Sequence, residues 1–129
     1  MDVKKVNINE KNAGVLAYLG DAVYEVEIRD YLVKKKIGNA NLLDKEAIKY
    51  VSANNQAIIL DTLISKGILN DDELYTIGRA RNYKPNSKPR STTIKVYKKA
   101  TALEALFGML YIKEDYERIN QIMKDILGD

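Results

Sequence analysis

The stretch Leu16-Ala-Tyr-Leu-Gly-Asp-Ala-Val-Tyr-Glu25 is apolar or glycine at eight of its ten positions. On a helix turning about 100° per residue, Leu16, Leu19, Val23 and Val26 form one stripe, with Ala22 beside it. Tyr18 and Tyr24 fill the flanks, so the apolar surface is wider than a surface helix needs and most of the helix must be covered. Asp21 and Glu25 share the remaining face at i and i+4. Burying an unpaired charge is costly, so these carboxylates must reach water, meet a cation or bind a metal. For Glu25 an ordinary surface ion pair is at hand, because Arg29 lies four residues on.

The remaining segments carry helical signals and no useful period-two pattern, which predicts an all-α fold. Asn12 is expected to cap a first long helix over residues 13–35, whose last turn is rich in lysine, with Gly38 and Asn39 making the turn after it. A second helical pattern, carried by Leu42, Leu43, Ala47, Ile48, Val51, Ile58, Leu60 and Leu63, runs over residues 41–66 and stops at Gly67. Asp44 is placed to support its first turn, and its polar middle, residues 52–56, suits a kink or break. Asn70 is placed to cap a helix that opens with Asp71, Asp72 and Glu73, three acids at the positive end of its dipole. A further helix is expected from residue 93 or 94 to 112, with Ala102, Leu103, Leu106, Phe107, Leu110 and Tyr111 as its apolar body. Gly108 inside that helix costs about 1 kcal/mol relative to alanine, which suggests close approach by another backbone. A last amphipathic helix over residues 114–127 turns Tyr116, Ile119, Ile122, Met123, Ile126 and Leu127 inward.

Composition narrows the chemistry. The 129 residues suffice for one domain with a real core, so residues 1–129 are read as a single domain with a loose N-terminal arm at 1–11. No apolar run reaches the length of a membrane span, and residues 1–15 are too polar for a secretory signal, so a cytoplasmic protein is expected. The chain has no cysteine and no histidine. That removes disulfides, thiolate metal sites, cysteine nucleophiles and the usual imidazole base. Any enzyme here must work with carboxylates, lysines, tyrosines, hydroxyls or a metal on oxygen ligands, which favour magnesium, manganese or calcium.

Charge is unevenly spread. Residues 74–103 contain no acid but hold Arg79, Arg81, Lys84, Lys88, Arg90, Lys95, Lys98 and Lys99, although the whole chain carries only +3. Both prolines, Pro85 and Pro89, fall in residues 83–92, a long loop whose charges are all positive. Such asymmetry points to a polyanion partner. The loop leads into the helix that carries Glu104, the one charge within residues 100–112, with Thr101 and Gly108 on the same face. If that helix crosses the first, Asp21 and Glu104 share a pocket. Two close carboxylates repel unless a divalent cation sits between them.

Residues 16–25 resemble the motif helix of the ribonuclease III family, and Thr101-Ala-Leu-Glu-Ala-Leu-Phe-Gly108 resembles that family's second acidic motif. The resemblance covers residues 13–112, including Val51-Ser-Ala53, Gln56-Ala57, Arg79-Ala-Arg-Asn82 and Tyr97-Lys-Lys-Ala-Thr-Ala-Leu-Glu-Ala105. It is closest to the short branch, mini-ribonuclease III, which has the helical endonuclease domain without an appended double-stranded-RNA-binding domain. Ala17 and Thr101 stand where the larger family has two further acids, which leaves Asp21 and Glu104; Ala80 stands where the short branch commonly has glycine.

The resemblance implies a homodimer that cleaves double-stranded RNA with magnesium, or manganese as a substitute, through a metal-activated water. Asp21 and Glu104 would be the catalytic and metal-binding acids, and the paired ends of precursor 23S ribosomal RNA the substrate. Arg79, Arg81, Asn82, Lys84, Lys88, Arg90, Lys95 and Lys98 are then candidates for RNA contacts. Thr101 and Glu25 are accessory candidates, with the Arg29 ion pair the first reading of Glu25. For the dimer, Tyr18, Tyr24, Ile28 and Leu32 are surplus to a single stripe and would face either a second copy or the chain's own helices. The alternatives are a non-catalytic RNA-binding protein on the same helical scaffold, which needs the basic loop but not the acid pair, and a plain helical interaction module.

Overall fold

In a computed structural model of the chain, the described residues are 12–35, 38–83 and 92–128. They form six helices and no strand: α1 (Ala13–Lys34), α2 (Ala40–Val51), α3 (Ala53–Ser65), α4 (Asp71–Asn82), α5 (Ile94–Ile112) and α6 (Tyr116–Leu127). The all-α expectation holds. None of these helices is long and apolar enough to cross a membrane.

The starts of the helices follow from the caps. Asn12, Asn39, Ser52, Asn70, Thr93 and Asp115 each accept a hydrogen bond from a backbone N–H of the turn that follows. Of the expected kink or break, the chain shows a complete break. Ser52 leaves the helical region, ends α2 and caps α3. The polar side chains beside it satisfy carbonyls that the break exposes: Asn55 donates to Ile48 O at 3.2 Å and Gln56 to Val51 O at 3.3 Å. Gly67, at φ +67°, follows α3 in the left-handed region. Asn70 and Glu73 form a reciprocal capping box at the start of α4.

The core is built around α5. Its residues 100–103 and 105–110 are all buried, and α1, α3 and α4 pack on it. The tightest approach is to α1, where Gly20 and Gly108 face each other's helix. A Cβ on Gly20 would overlap the carbonyl of Glu104, and one on Gly108 would overlap the carbonyl of Leu16. The close backbone approach expected at Gly108 is present, and Gly20 is its counterpart.

Glu73 has a second role besides its cap. It is 1% exposed and takes a two-pronged contact from Arg118 of α6, at 2.7 and 2.8 Å. Burial alone would raise its carboxyl pKa, but the Arg118 and Asn70 hydrogen bonds outweigh it and leave the pKa below the usual carboxylate value. Arg118 also donates to the Ile68 carbonyl at 2.7 Å, which ties α6 to the turn before α4.

The apolar faces differ in part from expectation. On α1, Val23, Tyr24, Ile28 and Leu32 are buried within the chain, whereas Ala22 and Val26 are exposed. Of the four residues assigned as surplus, only Tyr18 faces outward, at 85% exposure. The exposed apolar stripe of α1 is instead Val15, Tyr18, Ala22, Val26 and Val33. Leu42, Ile48, Ile58, Tyr111 and Tyr116 are also exposed rather than core. Tyr111 and Tyr116 pack on each other edge to face, with centroids 5.8 Å apart, at the turn between α5 and α6. Periodicity marks which residues share a side, but α1 is apolar nearly all round, so its sequence does not say which side the core takes.

Candidate active site

The α1–α5 crossing fixes the acids. Asp21 follows Gly20, where an added Cβ would overlap the Glu104 carbonyl, so a close backbone approach lies beside both carboxylates. Their carboxyl groups are near enough for Asp21 to act on the protonation of Glu104. Asp21 is exposed and Glu104 half-buried. Burial, reinforced by the hydrogen bond and the charge of Asp21, pushes the Glu104 carboxyl up to about 9. Among the described residues no ion pair involves either acid.

Both acids lie in a cleft of about 500 Å³. Thr101, one turn before Glu104, lines it too, and donates its hydroxyl to the Tyr97 carbonyl at 2.9 Å. The α1 wall consists of Gly14, Val15, Ala17 and Tyr18, behind the cap residue Asn12. Tyr83, just past α4, and Tyr97 of α5 close the other side. No described lysine or arginine lines this cleft. Below it, Tyr24 is fully buried, donates its hydroxyl to the Tyr50 carbonyl at 2.8 Å and packs on Phe107 with ring centroids 5.3 Å apart. Burial, with lesser contributions from Tyr50 and Glu104, raises its hydroxyl far above the usual tyrosine range.

Of the residues singled out from the sequence, Asp21, Glu104 and Thr101 come together. Glu25 does not join them. It pairs with Arg29 at 2.6 Å and lines a separate groove between α1 and α2. Arg79, Arg81 and Asn82 occupy the last turn of α4, directly before Tyr83. Lys95 and Lys98 flank Tyr97 in the first turns of α5. Arg79 lies over the Tyr75 ring, 5.9 Å from its centroid. Lys99, part of the same basic run, is engaged with Asp61 at 2.7 Å. Lys84, Lys88 and Arg90, and the N-terminal arm, lie outside the described residues. The two tyrosine walls were not singled out as site residues. Tyr97 could have been, because it sits four and seven residues ahead of Thr101 and Glu104 on one helical face. Tyr83 carries no such signal, since its place depends on where α4 ends.

The donor set suits a hard divalent cation. Two carboxyl groups lie side by side, burial and its neighbour raise the affinity of Glu104 for a proton, and the cleft is open to water on the Asp21 side. Among the described residues no three acids are grouped so as to hold a metal ion. Two carboxylates are nonetheless enough for magnesium, which keeps several waters.

Residues 14–115 match the Ribonuclease III domain family. The chain is 42% identical over 116 residues to Mini-ribonuclease 3 of Brevibacillus brevis, an alignment covering 90% of this chain and 85% of that one. It is 36% identical over 116 residues to Mini-ribonuclease 3 of Staphylococcus aureus, covering 90% and 87%. A crystal structure of a Fusobacterium nucleatum protein superposes with a TM-score of 0.81 at 35% identity, covering 94% of this chain and 95% of that one.

Proposed function

The chain belongs to the ribonuclease III family, and on that premise we propose how its cleft works and on what. As a member it is an endoribonuclease that acts on double-stranded RNA. The proposal is that cleavage depends on magnesium, with manganese as a substitute, held by Asp21 and Glu104, and that residues 1–129 act as one catalytic domain. The placement of these two carboxyl groups in one cleft, with no described lysine or arginine lining it, is the observation that carries it.

When bound, magnesium supplies positive charge to a scissile phosphate and makes a water acidic enough to attack at neutral pH. The chain's own groups do the rest. Asp21 and Glu104 would hold the ion, presenting oxygens from two helices whose close approach Gly20 and Gly108 allow. Hydrolysis adds water to phosphorus and expels the 3′ oxygen, which leaves a 5′-phosphate and a 3′-hydroxyl. Arg79, Arg81, Asn82, Lys95 and Lys98 bracket in sequence the two tyrosines of the cleft wall, so they are suited to hold the phosphates on either side. Lys84, Lys88 and Arg90 are assigned to the same task from sequence alone. Thr101, with its proton given to Tyr97, is left as an acceptor beside the acids.

The exposed stripe of α1 supports a homodimer. Val15 and Tyr18 belong both to that stripe and to the cleft wall, so a second copy seated on the stripe completes the site. Two such sites then cut one strand each. The paired ends of precursor 23S ribosomal RNA, in the cytoplasm, are the proposed natural substrate, on the strength of the resemblance to the short branch.

The test is cleavage of a long RNA duplex by purified protein, with and without magnesium, for wild type, Asp21→Asn and Glu104→Gln. Cutting is expected only from wild type with magnesium, and each variant should lose at least about a thousandfold. Wild type that binds the duplex but leaves it intact would reduce the chain to a non-catalytic RNA binder. Cutting that survives either substitution would place the site elsewhere.

A further inference from the structure

The proposed reaction uses the floor of the cleft and leaves its tyrosine walls without a task. Tyr97 stands two turns ahead of Glu104, half-buried. Its carbonyl already receives the Thr101 hydroxyl. Tyr83 is half-buried as well, and the tip of its ring rests on Gly14, where an added Cβ would lie 2.8 Å from both Cζ and Oη. Neither phenol has a hydrogen-bond partner among the described residues. Neither hydroxyl is a buried unpartnered atom, so both are open to a ligand in the cleft. These two line a cleft that holds two carboxyl groups and no described lysine or arginine.

A neutral phenol can donate to a phosphate, but unlike a lysine or arginine it can also accept. It matches a neutral group that both donates and accepts. On an RNA duplex that group is the ribose 2′-hydroxyl, the feature that separates RNA from DNA at a given position. We propose that Tyr97 and Tyr83 contact the ribose of a nucleotide at the scissile bond and make cleavage depend on its 2′-hydroxyl. The inference rests on the nuclease reading above and adds to it the residues that determine sugar specificity.

The test is a chemical double-mutant cycle. The substrates are a short RNA duplex cut at one mapped bond and the same duplex with a single 2′-deoxynucleotide, placed first on one side of the cut and then on the other. Wild type, Tyr97→Phe and Tyr83→Phe are compared in single turnover with magnesium, after their melting temperatures are shown to match. One lost hydrogen bond between neutral groups corresponds to a factor on the order of tenfold. Wild type is therefore expected to cut one deoxy duplex about tenfold more slowly than all-RNA. At least one phenylalanine variant should lose about that factor on all-RNA and nothing further on that deoxy duplex. Wild type that cuts all three duplexes alike overturns the inference. So do variants that lose the same factor on every duplex, the pattern of a phosphate contact or a disturbed fold. Both results leave the nuclease intact. Wild type that cuts no duplex at all overturns the nuclease reading and this inference together.

Discussion

Glu104 holds its proton at neutral pH because burial and the neighbouring Asp21 raise its carboxyl from 4.5 to about 9. Between those two values the folded chain keeps a proton that the unfolded chain releases. The stability tied to this group is therefore complete below about 4.5 and is lost as pH rises toward 9. Glutamine mimics the protonated acid and removes the dependence. Melting temperatures in a metal chelator should thus fall more between pH 5 and pH 8.5 for wild type than for Glu104→Gln, with the variant the more stable at the upper pH. Equal slopes would mean that Glu104 is ionised in the metal-free protein. The two acids stood out in the sequence because Glu104 is the one charge within residues 100–112 and Asp21 lies in a stretch that is otherwise apolar but for Glu25. Thr101 followed from its spacing to Glu104. Glu25 resolved toward its simpler reading, an i,i+4 pair with Arg29. Tyr83 was invisible because its position depends on the path of the chain beyond a helix end.

Among the elements, the α1–α5 pair carries the geometry. Gly20→Ala and Gly108→Ala each place a methyl group against a backbone carbonyl, which cannot rotate away. Helix propensity alone would make either change favourable by about 1 kcal/mol. Overpacking reverses the sign, and a net loss of about 1–3 kcal/mol is expected in denaturant titrations. Gly20→Ala should also cut poorly at temperatures where it remains folded, since the displaced carbonyl belongs to Glu104. A Gly20→Ala protein with wild-type stability and wild-type activity would show that the helices separate at no cost. Sequence revealed Gly108 as a helix glycine in need of a reason, and revealed the starts of α1 and α4 through their capping side chains, Asn12 and Asn70. It did not reveal the buried side of α1. Nor did it show that the acid at the start of α4, Glu73, would be clasped by Arg118 forty-five residues later.

At the scale of the molecule, the exposed stripe of α1 is the surface that a single copy leaves unexplained. Val26 is 61% exposed, so Val26→Asp should barely change the stability of one copy. Across a dimer interface the same charge would be buried without a partner. Val26→Asp should weaken dimerisation by at least about tenfold and lower cutting with it, read by sedimentation and duplex cleavage at matched concentrations. Wild type that sediments as a monomer while cutting would exclude the arrangement. The α1–α5 crossing has a further consequence, for the time at which activity arises. It joins the first described helix to the fifth, so Asp21 and Glu104 meet only after nearly the whole chain has been made and has closed on itself. A chain still emerging from the ribosome, or one partly melted, carries both acids but no paired site. With the acid pair as the proposed site, the nuclease would be silent during its own synthesis, amid the RNA that surrounds it there.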